Sequence, residues 1–308
     1  MKIKKTEIQD TFAEAFEMCG ARVIITADTK QWARAAAASM TGFATSVIRC
    51  KLEAAVECEI PEEDTPDGRP GISVLLFTMS SKTIAGQLID RIGQCVMTCP
   101  TTACFNGLDS ERSVSVGGKL RYFGDSYQIS KVIDGRRLWR IPVMEGEFLI
   151  DEKFGIQSAV GGGNLIIFGS SKNVALRASM AAAQAMREVA GVFLPFPQGL
   201  VRSGSKIGAS YKNLIASTND AYCPTLRSIS KQTAVPEKVE AIYEIVADGL
   251  DEASIKEAMR RGIHAAAEKG AMLITAGNYG GKLGKFHFHL HEIANGNGKV
   301  KSKKKAKA

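Results

Sequence analysis

The sequence predicts an α+β protein made of two ferredoxin-like (split βαβ) lobes from an apparent duplication, with a β-rich insert in the first lobe. Its 308 residues are enough for two domains of about 150 residues each. In the first half, the apolar patterns follow the order β-α-β-β-α, which opens a split βαβ unit. Two β-α-β patterns follow in the second half, although no residue-level repeat is visible.

The elements of the first predicted lobe are recognised from apolar runs and helix caps. Thr29 is a candidate N-cap for the first helix, and Gly42 ends it. The second helix carries an apolar stripe that includes Ile84 and Leu88. These patterns predict strands at 21–27, 45–50 and 72–77, helices at 29–40 and 80–96, and a turn-rich connection at 61–71.

The second predicted lobe repeats this pattern. Asp251 is a candidate N-cap for its second helix, and Gly270 stops that helix. Pro195 and Pro197 end the strand at 191–196 or confine it to an edge. The pattern predicts strands at 164–168, 191–196, 240–246, 272–276 and 285–291, and helices at 172–190 and 251–269.

These elements predict three segments of the chain. The N-terminal lobe covers 1–149 and includes the insert at 118–148, and the C-terminal lobe covers 150–297. A disordered Lys-rich tail covers 298–308. Six lysines of that tail supply most of the net charge of +8, and without them the body carries only +2. A solvated arm is favoured over docking to an acidic partner and over weak polyanion binding.

Hydropathy and cysteine usage predict a cytoplasmic protein without a membrane span. No apolar run approaches the roughly 18 residues that suggest a transmembrane helix. The N-terminal segment carries Glu7, Asp10 and Glu14 and lacks the apolar core of a signal peptide. The seven cysteines are an odd number and form no Cys-x-x-Cys pair, so we expect reduced thiols.

The segment 217–225 combines hydroxyls, an amide, a carboxylate, a phenol and a thiol, and it contains no aliphatic core residue. Burying so many polar groups costs free energy unless each is paired, so we predict a loop. Binding sites are often built on such loops, and a solvated turn is the alternative. The candidate binding residues are Ser217, Thr218, Asn219, Asp220, Tyr222 and Cys223.

Glu244 is a second candidate because it lies inside the apolar strand pattern at 241–246. We expect partial burial to raise the pKa of its carboxyl group toward the working pH, as a general acid or base requires. A glutamate on the solvated face of an edge strand is the alternative.

The histidines His287, His289 and His291 alternate along the last predicted strand, so we expect them to share one face. A His-x-His pair can bind zinc, but a third-ligand signature is missing, and a paired or solvated row is favoured. The glycine strings at 161–163 and 277–284 do not match the P-loop or the dinucleotide fingerprint. We interpret both as bends or close backbone approaches.

Seven strings, found in order from about Lys4 to about Glu292, together resemble the formylmethanofuran:tetrahydromethanopterin formyltransferases. Each string alone is weak, but the ordered set is highly specific. The Lys-rich end and the near-neutral to basic charge depart from archaeal members and favour a bacterial methylotroph type. The strings lie at 7–16, 65–71, 90–98, 145–148, 217–225, 243–246 and 277–284.

The resemblance implies an enzyme that moves a formyl group between the amine of a methanofuran-type carrier and N5 of tetrahydromethanopterin. These two one-carbon carriers are the co-substrates, and no metal, flavin or other prosthetic group is expected. The family implies a homotetramer, or a subunit of a formyltransferase/hydrolase complex in methylotrophs, with no nucleic-acid or membrane partner. The matching position gives Glu244 an acid/base role.

Formyl transfer between two nitrogens needs a proton relay and hydrogen-bond donors for the tetrahedral oxyanion. Asn219 and the backbone amides of its loop are candidate donors, and Asp220 and Tyr222 are candidates for fixing the amine or the pterin ring. A second polar-aromatic turn could close the cleft, with an ordinary hairpin tip as the alternative. Its residues are Phe123, Gly124 and Asp125.

Cys223 raises a covalent alternative, a thioformyl enzyme. A nucleophilic cysteine needs a nearby base or positive field, and no histidine lies near Cys223 in the sequence. Direct transfer within a ternary complex is therefore preferred. Two other functions stay open, a non-catalytic scaffold subunit of a formyl-hydrolase complex and a nucleic-acid-binding ferredoxin-like module. The near-neutral body and the aliphatic strands disfavour the second.

Overall fold

The computed structural model describes residues 1–133, 135–204 and 206–296, so the predicted tail at 298–308 lies outside the described residues. The strands are β1 Lys2–Ile3, β2 Thr6–Ile8, β3 Phe12–Thr26, β4 Glu53–Ile60, β5 Gly71–Thr78, β6 Ala103–Asn106, β7 Ser113–Ser115, β8 Ile129–Ile133, β9 Arg136–Val143, β10 Gly146–Asp151, β11 Lys153–Gly155, β12 Gln157–Gly169, β13 Val192–Phe193, β14 Lys206–Ile207, β15 Ala216–Ser217, β16 Ala241–Gly249, β17 Leu273–Thr275 and β18 Phe286–His289. The helices are α1 Lys30–Thr41, α2 Val47–Cys50, α3 Ser81–Arg91, α4 Gly117–Leu120, α5 Lys172–Arg187, α6 Glu252–Glu268 and α7 Leu290–Ala294. The α+β class is therefore confirmed.

The chain divides into two compact units that do not follow its linear order. Unit A contains residues 1–16, 162–192 and the described residues from 198 onward. Unit B contains residues 17–161 and 193–197. The long strands β3 and β12 each contribute residues to both units, because the unit boundaries fall inside them.

The sheet of unit A brings the chain's N-terminal strands next to strands from its second half. β17 pairs antiparallel with β12, with Ile274 opposite Ile167. On its other side, β17 pairs parallel with β2, with Ile274 opposite Ile8. β16 pairs with β12 and with β13. β18 pairs antiparallel with the start of β3, which sets Glu14 opposite His287.

The two long helices of unit A, α5 and α6, pack against each other through small residues. A Cβ atom at Gly262 would lie 2.8 Å from Met186 Sδ, so a larger residue there would require the methionine side chain to move. Asp251 caps α6, because its Oδ1 accepts the Ser254 N–H at 2.8 Å. The predicted cap at Asp251 is thus confirmed, and α5 begins in the same way at Ser171.

Unit B has its core around β5, whose residues are buried along its whole length. β5 pairs antiparallel with both β3 and β4, and β6 pairs with the other side of β3. The predicted β-rich insert is present, since β8, β9 and β10 form an antiparallel meander and β10 pairs parallel with β6. Thr29 caps α1 as predicted, because its side chain accepts the Trp32 N–H.

Three predicted strands need correction. The segment 45–50 is not a strand but contains the helical turn α2, because the Ser46 side chain accepts the Ile48 N–H and caps it. The corresponding strand is β4, which among the described strands pairs with β5 alone. Its three glutamates interrupt the apolar pattern from which the strands were predicted. The strand expected at 191–196 is reduced to β13, and the strand at 285–291 ends at His289, where α7 takes over.

Candidate active site

A cavity of about 520 Å³ in unit A is lined by three of the predicted site residues, Asn219, Tyr222 and Glu244. It lies where β12, β16 and β17 meet the segments that carry Asn219 and Tyr279. Glu244 on β16 reaches this cavity although its own exposure is only 7%. The cavity is lined by Gln9, Asp10, Thr11, Asn164, Ile166, Lys206, Ile207, Asn219, Tyr222, Glu244, Thr275, Ala276, Gly277, Asn278 and Tyr279.

A smaller cavity of about 40 Å³ shares Ile166, Asn219, Tyr222 and Glu244 with the larger one. Glu244 is held there by the backbone, because its N–H donates to the Val201 carbonyl at 3.1 Å and its carbonyl accepts the Val201 N–H at 2.7 Å. Glu244, the phenol-bearing Tyr222 and the amide-bearing Asn219 therefore line the same two cavities.

The predicted polar loop supplies only part of its residues to these cavities. Asn219 and Tyr222 line both, and Cys223 lines the smaller one. The Tyr222 ring packs edge-on against Phe168, with 5.7 Å between the centroids. The segment has little regular structure, with short helical turns at Asp220–Tyr222 and Pro224–Leu226, which agrees with the predicted loop.

The other three loop candidates make contacts within the polar segments themselves. Asp220 pairs with Lys206 Nζ and accepts the Ser230 hydroxyl at 3.0 Å. These hydrogen bonds, first from Lys206 and then from Ser230, lower the pKa of Asp220. Ser217 donates its hydroxyl to the Gly208 carbonyl at 2.7 Å, and Thr218 donates to the Ser203 carbonyl at 3.3 Å.

Two tyrosines report the electrostatics of the cavity. Burial, and then the negative charge of Glu244, raise the pKa of Tyr222, while a hydrogen bond with Thr275 opposes this shift. Burial also raises the pKa of Tyr279, followed by the charges of Glu244 and Glu14. Both phenols therefore stay protonated at neutral pH and can donate hydrogen bonds inside the cavity.

The remaining predicted residues lie elsewhere. Phe123, Gly124 and Asp125 belong to unit B and line neither cavity of unit A. Phe123 is exposed, and Asp125 has a left-handed backbone with φ 51°. Their cleft-closing role stays a prediction.

The histidine row is not one face, because His291 lies in the helix α7 while His287 and His289 lie on β18. His291 Nε2 instead approaches the Ile8 carbonyl at 2.8 Å. Within residues 1–133, 135–204 and 206–296, no cluster of three or more His, Cys, Asp or Glu side chains could hold a metal ion. No described helix is long and apolar enough to cross a membrane.

Several cavity residues were missed from the sequence. Asn164 was visible as one amide inside an apolar strand, and Tyr279 as an aromatic residue within a glycine string. Asn164 Oδ1 accepts the Gly277 N–H at 2.7 Å and so joins β12 to the next segment. Lys206, Gln9 and Thr11 carried no local signal, since their position depends on tertiary packing.

Comparison with known proteins identifies related sequences along almost the whole chain. Residues 1–143 match the family described as formylmethanofuran-tetrahydromethanopterin formyltransferase, and residues 146–293 match that family's proximal lobe. A formylmethanofuran–tetrahydromethanopterin formyltransferase of Methylobacillus flagellatus is 55% identical over 94% of this chain and 98% of its own length. A subunit of the formyltransferase/hydrolase complex of Methylorubrum extorquens is 47% identical over 92% of this chain and 94% of its own length.

Two solved structures have the same fold. The formylmethanofuran:tetrahydromethanopterin formyltransferase from Methanosarcina barkeri matches with a TM-score of 0.91 and 49% identity, over 95% of this chain and 100% of that one. The formyltransferase/hydrolase complex from Methylorubrum extorquens, solved with methylofuran, contains a chain that matches with a TM-score of 0.92 and 46% identity, over 95% of this chain and 98% of that one.

Proposed function

The chain belongs to the formylmethanofuran–tetrahydromethanopterin formyltransferase family, and on that premise we propose that it transfers formyl directly between its two carriers with Glu244 as the proton relay. The relatives' names give formylmethanofuran and tetrahydromethanopterin as their substrates. The proposed transfer runs between N5 of the pterin and the amine of the methanofuran-type carrier. The observation that carries the assignment to Glu244 is its burial in the wall shared by both cavities.

The chemistry of formyl transfer gives separate roles to Glu244 and Asn219. The attacking nitrogen forms a bond to the formyl carbon, and the carbonyl oxygen becomes an oxyanion in a tetrahedral intermediate. Glu244 takes the proton from the attacking nitrogen and returns it to the leaving nitrogen as the old C–N bond breaks. One carboxyl group therefore serves both steps and ends in its starting state. The amide of Asn219, in the same wall, donates to the oxyanion.

The surroundings of Cys223 support direct transfer over a thioformyl intermediate. Its thiol donates to the Asn219 carbonyl at 3.3 Å and lies 3.5 Å from the Thr218 hydroxyl. The described residues provide no histidine, lysine or arginine in hydrogen-bond contact with this sulfur. A thiol without such a partner lacks the activation that a nucleophilic cysteine requires.

The activity is tested by mixing the purified protein with a formylated furan carrier and tetrahydromethanopterin, with a chelator present and no metal added. We expect the absorbance of the formylated pterin to appear at a rate proportional to enzyme concentration. Absence of transfer with both carriers, in either direction, would contradict the proposed activity. Loss of transfer on chelation, restored by zinc, would contradict the metal-free mechanism.

We also propose that each unit is derived from a split βαβ, ferredoxin-like lobe. The order β17-β12-β16-β13 in unit A and the order β6-β3-β5-β4 in unit B support this. Each order sets the fourth strand of a βαββαβ chain beside the first and the third between the first and the second. The lobes at 1–149 and 150–297 stay a prediction, because unit A also includes residues 1–16.

The oligomeric assembly of this chain is proposed from that of a relative. Because the matching subunit of the Methylorubrum extorquens complex is 47% identical, we propose that this chain also works within a formyltransferase/hydrolase complex or as a homotetramer. Size-exclusion chromatography with light scattering on the native protein distinguishes these assemblies from a monomer. The cytoplasmic location and the absence of a nucleic-acid partner stay predictions.

A further inference from the structure

Glu14 on β3 is a buried carboxylate that the mechanism does not use. It is only 1% exposed, and its partners among the described residues are all backbone N–H groups. Those groups come from one segment, residues 279–284, which we call the amide loop. A buried carboxylate is costly unless hydrogen bonds replace its hydration, so the contact is specific.

Each carboxylate oxygen of Glu14 accepts two hydrogen bonds. Oε2 accepts the N–H groups of Tyr279 at 2.6 Å and Gly281 at 2.9 Å. Oε1 accepts those of Leu283 at 2.6 Å and Gly284 at 2.5 Å. Burial raises the pKa of Glu14, but the four N–H groups outweigh it and lower the pKa to about 2. Glu14 is therefore a fixed anion at neutral pH.

The backbone of the amide loop is shaped for this contact. Gly280 and Gly281 have φ angles of +71° and +73°, which favour glycine. The Gly281 N–H donates to Glu14, whereas the Gly280 N–H donates to Asn278 Oδ1 at 3.1 Å within the same turn. A Cβ atom at Gly284 would lie 2.7 Å from Glu14 Cγ, so glycine is also needed where the loop closes on the carboxylate. The glycine residues of the amide loop therefore allow its backbone to close around the Glu14 carboxylate.

The amide loop continues directly into the wall of the active-site cavity. Gly277, Asn278 and Tyr279 line the cavity that contains Glu244, and the Tyr279 N–H is one of the four donors to Glu14. Asn278 Nδ2 adds a second attachment by donating to Thr11 Oγ1 and to the Phe12 carbonyl, both at 3.1 Å.

We propose that Glu14 is a positioning residue for formyl transfer, which holds Tyr279 in the wall of the Glu244 cavity by anchoring the amide loop. This inference rests on the proposed function, because it requires that this cavity be the site of transfer. Glu14 does not touch the reacting atoms and instead acts through Tyr279. Small displacements near reacting groups strongly reduce the catalytic rate, so a residue that fixes the position of Tyr279 can affect kcat without contacting the substrate.

The test is Glu14→Gln, which retains the size of the side chain but replaces one acceptor oxygen with an NH2 group. That NH2 group faces two backbone N–H donors, so one side of the amide loop must move. We expect kcat to fall by about 10²-fold, the effect of a misplacement of about 1 Å, with faster hydrogen exchange at the amides of 279–284. The matched control is Glu7→Gln, on an exposed position of β2, which should leave both unchanged.

A purely structural role for Glu14 would lower the melting temperature without lowering kcat in the folded protein, and this result would overturn the proposal. Unchanged exchange in the amide loop would also overturn it. If Glu14→Gln does not fold, Gly281→Ala is the second test variant. The added Cβ atom would contact the His287 ring and strain the amide loop, while the Glu14 carboxylate is retained. A lower kcat with faster loop exchange supports the proposal, and wild-type kcat with a loosened loop overturns it.

The result is distinguishable from a failure of the proposed function. If Glu14→Gln has wild-type kcat while Glu244→Gln is slow, only the role of Glu14 is wrong. If both variants transfer formyl at the wild-type rate, the cavity is not the site of transfer.

Discussion

Unit A contains two buried glutamates with opposite surroundings, Glu14 in the amide loop and Glu244 in the cavity wall. Their exposures are similar, 1% and 7%, so burial alone does not distinguish them. Four backbone N–H groups fix Glu14 as an anion, whereas Glu244 lines a cavity together with Asn219 and Tyr222. We therefore infer that their hydrogen-bond partners and their position relative to the cavity, not the degree of burial, distinguish the two carboxyl groups.

The largest effect is expected from Glu244→Gln, which retains the shape of the side chain but cannot relay a proton. General acid–base catalysis is worth about 10²–10⁴-fold, so kcat should fall by that factor. The KM values for both carriers should change much less, because glutamine preserves most contacts. Steady-state kinetics with each carrier varied in turn measure both parameters, and a wild-type kcat would remove Glu244 from the mechanism.

Asn219→Ala tests the other side of the cavity wall. The loss of one oxyanion donor typically lowers kcat by about 10²–10³-fold, and we expect a loss in that range. The matched control is Ser217→Ala, in the same loop, because the Ser217 hydroxyl is bonded to the Gly208 carbonyl and does not line either cavity. Equal losses in both variants would mean that loop stability, not the oxyanion, is being measured.

Cys223→Ala should lower kcat much less than Glu244→Gln does. Its thiol donates to a backbone carbonyl, so its removal costs packing and one weak hydrogen bond. Mass spectrometry of the quenched wild-type enzyme, incubated with one formylated carrier alone, should find no formyl adduct. An inactive Cys223→Ala variant together with a trapped formyl thioester would establish the covalent mechanism instead.

The anionic state of Glu14 also predicts how the stability of the protein depends on pH. The pKa of Glu14 is lowered from 4.5 to about 2, so the folded state gains stability above about pH 4.5. That stability is lost as the pH falls toward 2. Glu14→Gln should therefore melt at a lower temperature at neutral pH, and its melting temperature should fall less steeply between about pH 5 and pH 3. Parallel melting curves of the two proteins over this range would contradict the role of the four N–H groups.

Much of the fold could be predicted because its signals are local. Thr29 and Asp251 cap helices as expected, and the apolar runs of β5 and β16 identify strands. The segment 45–50 was wrong because β-branched residues resemble a strand, while the Ser46 cap stabilises a helical turn. The row of histidines was wrong because α7 begins at Leu290, and tertiary context determines that change.

The candidate site could be predicted only where a residue stands out from its immediate sequence neighbours. Asn219 and Tyr222 were found with Glu244, since a polar loop and a charged residue in an apolar strand are visible locally. Lys206 and Thr11 reach the cavity through long-range packing, which no local pattern records. Glu14 was not predicted as a site residue, because its four donors lie more than 260 residues away along the chain.

The pH dependence of kcat in three proteins tests the central claim most directly, because it separates a proton relay from an anchor. Wild type, Glu244→Gln and Glu14→Gln are compared with both carriers saturating. We expect a limb of the wild-type profile to be absent in Glu244→Gln and to be retained in Glu14→Gln, although both variants are slower. Retention of that limb in Glu244→Gln, or its loss in Glu14→Gln, would contradict the assignment of the two glutamates.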